Sequence, residues 1–235
     1  MGGIRVPRVE ACDHTRQYLT DGSGWGHPAY ERYEARRALG PLTDADLLAP
    51  PLLNVQPFDL GVYESLQAVR PQLQESLDQI RPAASVFDAT DNEREHVRRM
   101  FALIDRRGIP GAKGTILSKV LHRKRPDLIP LWDGNVEKVY QYGETPRIPP
   151  VNGRSWGEFH LVFSDAVRAD IEADPGFFED VAALAVDPPI SLLRAVDVVA
   201  WWAGDPKRWH RFRDSGPRSS AAVDSGTASM DVPRL

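Results

Sequence analysis

Apolar residues recur along much of this chain at steps of three, four or seven, the spacing of one face of an α-helix. One run with this spacing follows Asp59 and consists of Tyr63, Leu66, Leu73, Leu77 and Ile80. A second run begins with the capping-box pair Thr90 and Glu93 and continues with Val97, Met100, Phe101 and Ile104. No segment shows a convincing two-residue alternation of the kind that strands have. The pattern therefore predicts an all-α fold of about eight to ten helices.

Further helices are predicted in the second half of the chain, over residues 133–142, 155–173 and 190–203. The last of them is almost wholly apolar, so we expect it to be the central buried helix. Its polar exceptions include Arg194 and Asp197, which are close enough along a helix to pair.

Length and composition fit one compact domain. With 235 residues, 42% of them hydrophobic, the chain can bury a full core, and we expect a single domain over residues 1–213. Residues 1–40 mix aromatic, charged and glycine residues and support no assignment. From residue 214 the chain turns to Ser, Gly, Arg and Pro, so residues 214–235 are predicted to be a disordered tail.

Several classes of function are excluded by the remaining composition. Cys12 is the one cysteine, so the chain cannot build a disulfide framework, a cysteine-ligated zinc site or a four-cysteine iron–sulfur cluster by itself. The histidines lack metal-ligand spacing and no nucleotide-binding glycine motif is present, so we expect no metal and no cofactor. No signal segment opens the chain and no run approaches the roughly 18 apolar residues of a membrane span. A cytoplasmic location without a membrane partner is therefore expected.

The most unusual charge pattern is a basic segment over residues 106–125, with seven Lys or Arg and no Asp or Glu in a chain of net charge −4. A glycine-rich turn leads there into a helix, and the unpaired N–H groups of a helix start bind phosphate well. An ordinary solvated Lys/Arg face is the competing interpretation. The predicted nucleic-acid contacts are Gly111, Lys113, Gly114, Thr115, Arg123, Lys124 and Arg125.

Two short motifs flank the predicted basic helix. Residues 109–116 read Ile-Pro-Gly-Ala-Lys-Gly-Thr-Ile, and residues 131–136 read Leu-Trp-Asp-Gly-Asn-Val. This order resembles the hairpin region of the helix-hairpin-helix DNA glycosylase superfamily, of the endonuclease III and adenine glycosylase kind. The pattern there is Leu-Pro-Gly-Val-Gly-x-Lys-Thr-Ala, an apolar helix, and Val-Asp-Thr-His-Val. The resemblance covers about residues 92–142 and implies a hairpin-like core in a helix-hairpin-helix glycosylase-like domain.

The resemblance implies that Asp133 is a catalytic aspartate for hydrolysis of an N-glycosidic bond. A carboxylate near the sugar C1′ would stabilise positive charge as the base departs and would orient water. Thr115 stands 18 residues before Asp133, where bifunctional members have a lysine nucleophile, so a monofunctional enzyme is implied. Lys113 replaces the second hairpin glycine, and Asn135 replaces the histidine after the aspartate. Asp133 can also be a helix N-cap alone.

Aromatic residues near these motifs are candidates for stacking on a base, namely Trp132, Trp25 and Tyr30; residues of this type also commonly belong to a core. The block over residues 119–133 is similar, too, to an uncharacterised domain family of high-GC bacteria. Three functions stay open: a DNA glycosylase, a non-catalytic DNA-binding or regulatory protein that kept the hairpin, and a nucleosidase acting on a nucleoside-like small molecule. Whether Asp133 lines an open pocket or serves only as a cap discriminates the glycosylase from the binding protein. In the nucleosidase the basic face would not bind duplex.

Overall fold

A computed structural model describes residues 1–20, 24, 28–33, 40–105 and 113–213. Within these ranges the regular elements are all helical, so the predicted all-α fold is confirmed. The predicted tail of residues 214–235 lies outside the described residues. The α-helices, numbered α1 to α11 in chain order, are Arg8–Leu19, Ala29–Arg32, Asp44–Leu47, Leu60–Asp78, Asp91–Ala102, Gly114–His122, Gly134–Gln141, Trp156–Ala173, Pro175–Ala183, Leu192–Ala203 and Trp209–Phe212. Pro50–Leu53 and Leu103–Asp105 form short 3-10 segments.

Side-chain caps fix where the longer helices begin. The capping box predicted at Thr90 and Glu93 is present at the start of α5. Ser155 and Glu158 form another at the start of α8. In each box the two side chains satisfy backbone N–H groups that a helix start leaves without partners. These helices therefore begin within a residue or so of the predicted positions.

Helix α1 lies in the region where the sequence supported no assignment. The face that it buries contains polar residues. Its buried residues are Ala11, His14, Thr15 and Tyr18. Their spacing is that of a helix face turned to a core, but two of the four are polar residue types. A pattern of hydrophobic residues alone cannot reveal such a helix.

The core consists of two hydrophobic clusters. One joins α7, α8, α9 and α10, and the other joins α4, α5 and α6. Trp156, the first residue of α8, packs against both. Its ring lies so close to Gly114, the first residue of α6, that a Cβ there would approach the ring to 2.1 Å. Gly114 therefore serves the packing between α6 and α8.

The predicted basic helix is mostly buried. In α6 every residue except Thr115 is buried, and the central helix α10 is buried over ten of its residues, as the sequence predicted. The glycine-rich turn before α6, including Gly111, lies outside the described residues. No helix in the described part of the chain is both long and apolar enough to cross a membrane.

Candidate functional site

A cleft of about 350 Å³ opens where the two clusters meet. Five parts of the chain form it: α1, the end of the first 3-10 segment with the loop after it, one face of α6, the start of α7, and one face of α10. Its walls are made by Tyr18, Leu53, Asn54, Val55, Gln56, Thr115, Lys119, Asp133, Gly134, Asn135, Arg194, Asp197, Val198 and Trp201. Asp133 thus lines an open cleft.

The two oxygens of Asp133 have different surroundings. Oδ1 accepts hydrogen bonds from the N–H groups of Asn135 and Val136, at 2.9 and 3.0 Å, and so caps α7. Oδ2 lies 3.8 Å from Nζ of Lys119, and the side chain is 20% exposed. Asp133 is therefore an N-cap and a cleft residue at once, because the cap uses only one of its oxygens.

Lys119 brings a positive charge to the base of the cleft. Its side chain is only 3% exposed, and Nζ donates to the carbonyl oxygen of Trp132 at 3.2 Å. Ser118 strengthens the same junction, since its Oγ accepts a hydrogen bond from Trp132 N at 3.1 Å. Thr115 and Lys119 are four residues apart and therefore share one face of α6. The helix thereby holds both residues against the segment that carries Asp133.

Arg194 organises a second group of charges on the floor of the cleft. Its Nε donates to Glu31 at 2.7 Å, and its Nη2 donates to the Tyr18 hydroxyl at 2.5 Å. A further nitrogen, Nη1, contacts Oδ2 of Asp197. Helices α1, α2 and α10 are thus connected through one guanidinium, whose planar fork suits several partners. The pairing of Arg194 with Asp197 predicted from the sequence is present.

The electrostatics of Asp197 differ from those of an ordinary surface aspartate. Burial raises its pKa, and the nearby charge of Asp133 raises it further, whereas Arg194 and Lys119 act in the opposite direction. The net effect is a pKa of Asp197 above the usual value of an aspartate. Burial disfavours a charged carboxylate because protein replaces its hydration water.

Aromatic side chains complete the walls of the cleft. Trp201 lies over His14 with the two ring centres 6.3 Å apart and the rings 25° from parallel. Tyr18 contributes its ring beside them. From the sequence, Trp201 was expected only as part of the buried helix. Four further residues of the cleft were not predicted to belong to the site: Tyr18, Lys119, Arg194 and Asp197. The pairing of Arg194 with Asp197 inside an apolar helix was the one signal that could have pointed to them.

Three of the predicted nucleic-acid contacts have other partners within the fold. Lys124 is completely buried, with Nζ 2.8 Å from Oδ2 of Asp46. Arg123 donates to the same carboxylate at 3.3 Å, and Arg125 donates to three backbone carbonyls at 2.7, 2.7 and 2.8 Å. A cation enclosed in this way does not reach a phosphate. The predicted basic face at this end of α6 is therefore corrected: these charges join α6 to the rest of the protein.

The stacking candidates also change. Trp132 is 4% exposed and packs edge-on against Phe159 and Phe163. Tyr30 is 2% exposed, and its hydroxyl donates to the carbonyl of Lys119 at 2.5 Å. Neither ring can stack on a base without leaving the core, so both are corrected to core residues. Trp25 lies outside the described residues.

The other predicted contacts divide between surface and cleft. Lys113 is exposed at the N-cap position of α6, and Thr115 is half-buried on the cleft wall. Gly114 lies beneath Trp156. The part of the predicted site that the fold brings together is therefore Thr115 and Asp133, with Asn135 beside them.

Fold and cleft together define an all-α protein with a cluster of acidic and basic side chains in a cleft between its helices. The chain belongs to a family of unknown function, DUF6308, whose model matches residues 11–204. This match contains every residue that lines the cleft. No curated protein and no solved structure matches the chain. The expected membership of an uncharacterised family is thus supported, and the resemblance to helix-hairpin-helix glycosylases stays a prediction.

Proposed function

We propose that the protein hydrolyses the N-glycosidic bond of a nucleoside unit held in this cleft. The observation that carries the proposal is that the two carboxylate oxygens of Asp133 have different partners. Its Oδ1 is fixed by two N–H groups of α7, and its Oδ2 lies beside Lys119 in the cleft. A carboxylate anchored in this way can stabilise the positive charge that develops on the sugar as the base leaves, and can orient the attacking water.

The dimensions and walls of the cleft support a substrate of this size. A volume of about 350 Å³ lies in the range of small-molecule sites. Trp201 offers an aromatic ring to a base. Asn54 and Gln56 offer amide groups that can pair with a base edge. Stacking and edge pairing are the usual means by which proteins hold a single base.

Thr115 supports water as the nucleophile. It lies on the cleft wall with Asp133. In the resemblance it stands at the position of the lysine nucleophile. A hydroxyl cannot form a Schiff base with an aldehydic sugar, so the lysine chemistry of bifunctional glycosylases has no counterpart at this position.

The internal pairing of Arg123, Lys124 and Arg125 favours a nucleoside or short nucleotide over duplex DNA as the substrate. Duplex binding normally needs several exposed cations that neutralise phosphates. At this end of α6 those cations are engaged within the protein. The glycosidic chemistry is common to free nucleosides and to DNA, so the experiment includes both.

The test compares Asp133→Asn with Asp59→Asn in assays of base release. Asp59 is a matched control, because it also caps a helix, accepting from Val62 N at 3.0 Å, and lies outside the cleft. Asparagine keeps the cap in both variants. We expect Asp133→Asn to lower the rate by ~10²–10⁴-fold with little change in folding, and Asp59→Asn to leave it nearly unchanged.

The substrates are free ribo- and deoxyribonucleosides and single- and double-stranded oligonucleotides with normal and damaged bases. Equal rates for wild type and Asp133→Asn would remove Asp133 from the mechanism. Release only from oligonucleotides would favour a DNA glycosylase, and no release from any substrate would favour the binding-protein alternative.

A further inference from the structure

A second groove, of about 480 Å³, adjoins the cleft that holds Asp133. It lies among the starts of α6 and α8, one face of α7 and the loop before α8. Thr115 and Gly134 line both cavities. Thr115 is half-buried and Gly134 is exposed. A ligand that fills the cleft can therefore continue past these two residues into the second groove.

Apolar side chains make one part of the second groove. Trp156 is partly exposed there, and Val151, in the loop before α8, is 55% exposed. Trp156 is held in place, because its N–H donates to Asp105 at 2.9 Å and its ring packs edge-on against Phe159 with the ring centres 5.4 Å apart. A fixed aromatic ring beside an exposed aliphatic side chain suits the flat face of a base.

Cations make another part of the second groove. Of the described ionisable side chains that line it, Lys113 and Arg154 are basic and Glu137 is acidic. Lys113 is exposed and Arg154 is half-buried. Within the described ranges neither cation is held in an ion pair. They differ in this from the cations at the C-terminal end of α6, which the fold engages internally. Two such cations in one groove suit a phosphate.

We propose that the second groove holds the nucleotide next to the target nucleoside, so that the substrate is a short single-stranded oligonucleotide. Lys113 and Arg154 contact the phosphate that joins the two units, and the second base lies on Trp156 and Val151. The inference rests on the proposed function, which places the target unit in the cleft. Proteins commonly bind single strands through aromatic stacking beside a basic groove. A duplex does not fit this arrangement, because both bases would have to leave the stack.

Substrates that differ by one part at a time test the groove in the wild-type protein. They are a free deoxynucleoside, its 5′- and 3′-monophosphates, and dinucleoside monophosphates with the target unit on either side, carrying the base that the protein releases. We expect kcat/KM to rise by about tenfold when the second nucleotide is added, because its base gains a stacking contact. Equal values for the nucleoside and the dinucleotide would overturn the inference. A mononucleotide as good as the dinucleotide would also overturn it, since the groove would then hold a phosphate alone.

The variants Arg154→Gln and Lys113→Gln test recognition of the charge. Each should lower the ratio of kcat/KM for the dinucleotide to kcat/KM for the nucleoside by about tenfold, mainly through KM, because the groove is remote from the bond that breaks. A dinucleotide with a neutral methylphosphonate linkage should not show this loss. Lys207→Gln is the matched control, since it removes one positive charge at an exposed position outside both cavities. The same ratio in Arg154→Gln as in Lys207→Gln would contradict the role of Arg154.

Calorimetric binding to Asp133→Asn separates this inference from the proposed function. The probes are thymidine, the dinucleoside monophosphate of thymidine and its methylphosphonate analogue, with the deoxyadenosine series beside them. Tighter binding of the phosphodiester, lost when Arg154→Gln is added, would support the nucleotide site even if the wild type releases no base, in which case the proposed function alone is overturned. Equal binding of the phosphodiester and the methylphosphonate would overturn the nucleotide site even if nucleosides are cleaved.

Discussion

At the scale of single residues, Lys124 was predicted from the sequence to contact nucleic acid, and the fold instead places its charge in an internal ion pair. The side chain has no exposed surface and pairs with Asp46 at 2.8 Å. Burial raises the pKa of Asp46, but the contacts to Lys124 and to Thr43 outweigh it and hold the pKa below its ordinary value. Removing one partner of such a pair leaves an uncompensated charge inside the protein.

We predict that Lys124→Met destabilises the protein by about 3 kcal/mol, because Asp46 then loses the nearer of its two described cationic partners and keeps Arg123 at 3.3 Å. The measurement is the free energy of unfolding in urea. Lys113→Met, at an exposed position at the start of the same helix, is the control and should change it by less than about 0.5 kcal/mol. Unchanged stability together with weakened nucleic-acid binding in Lys124→Met would restore the basic face.

Two glycines make a comparison at the scale of helices. Gly114 and Gly134 are the first residues of α6 and α7. A Cβ at Gly114 would meet the ring of Trp156 at 2.1 Å, whereas a Cβ at Gly134 would meet nothing within 4 Å.

We predict that Gly114→Ala lowers the free energy of unfolding by about 1–3 kcal/mol through overpacking. Gly134→Ala should leave it unchanged or raise it by up to about 1 kcal/mol. Similar stability for the two variants in urea unfolding would show that α6 and α8 can separate slightly at Trp156.

The contrast between α1 and α5 shows which helices a sequence can reveal. Helix α5 was predicted because Thr90 and Glu93 cap it and its inward residues are apolar. Helix α1 was missed because His14 and Thr15 are buried in it. Thr15 satisfies its hydroxyl within the helix, by donating to the Ala11 carbonyl at 2.8 Å. A buried polar residue with a local partner leaves no hydrophobic signal.

At the scale of the whole molecule, only some of the residues that line the cleft could be predicted from the sequence. Asp133 and Thr115 were identified from motifs that lie near each other in the chain. Tyr18 and Trp201 come from opposite ends of the chain and meet because α1 packs against α10. No local pattern records such a meeting, because side chains that contact across a fold share no spacing in the sequence.

Three buried histidines affect the stability of the entire protein. His160 is enclosed and stacks on Phe101 with ring centres 3.6 Å apart. Burial lowers the pKa of His160 from 6.5 to about 3. Burial also lowers the pKa of His14 and of His122 to about 4. Below pH 6.5 the unfolded chain therefore binds protons that the folded protein does not accept.

We predict that the contribution of these histidines to the free energy of unfolding is fully present above about pH 6.5 and falls steadily as the pH decreases towards 4. Each histidine contributes a slope of up to about 1.4 kcal/mol per pH unit between its unfolded and folded pKa values. His160→Phe should reduce the total slope near pH 5 by about that amount, whatever its effect on stability at neutral pH. His210→Phe is the control, because water reaches His210 in the folded protein. Urea unfolding at intervals from pH 4 to pH 8 measures the slope, and an identical slope for wild type and His160→Phe would show that His160 accepts a proton without unfolding.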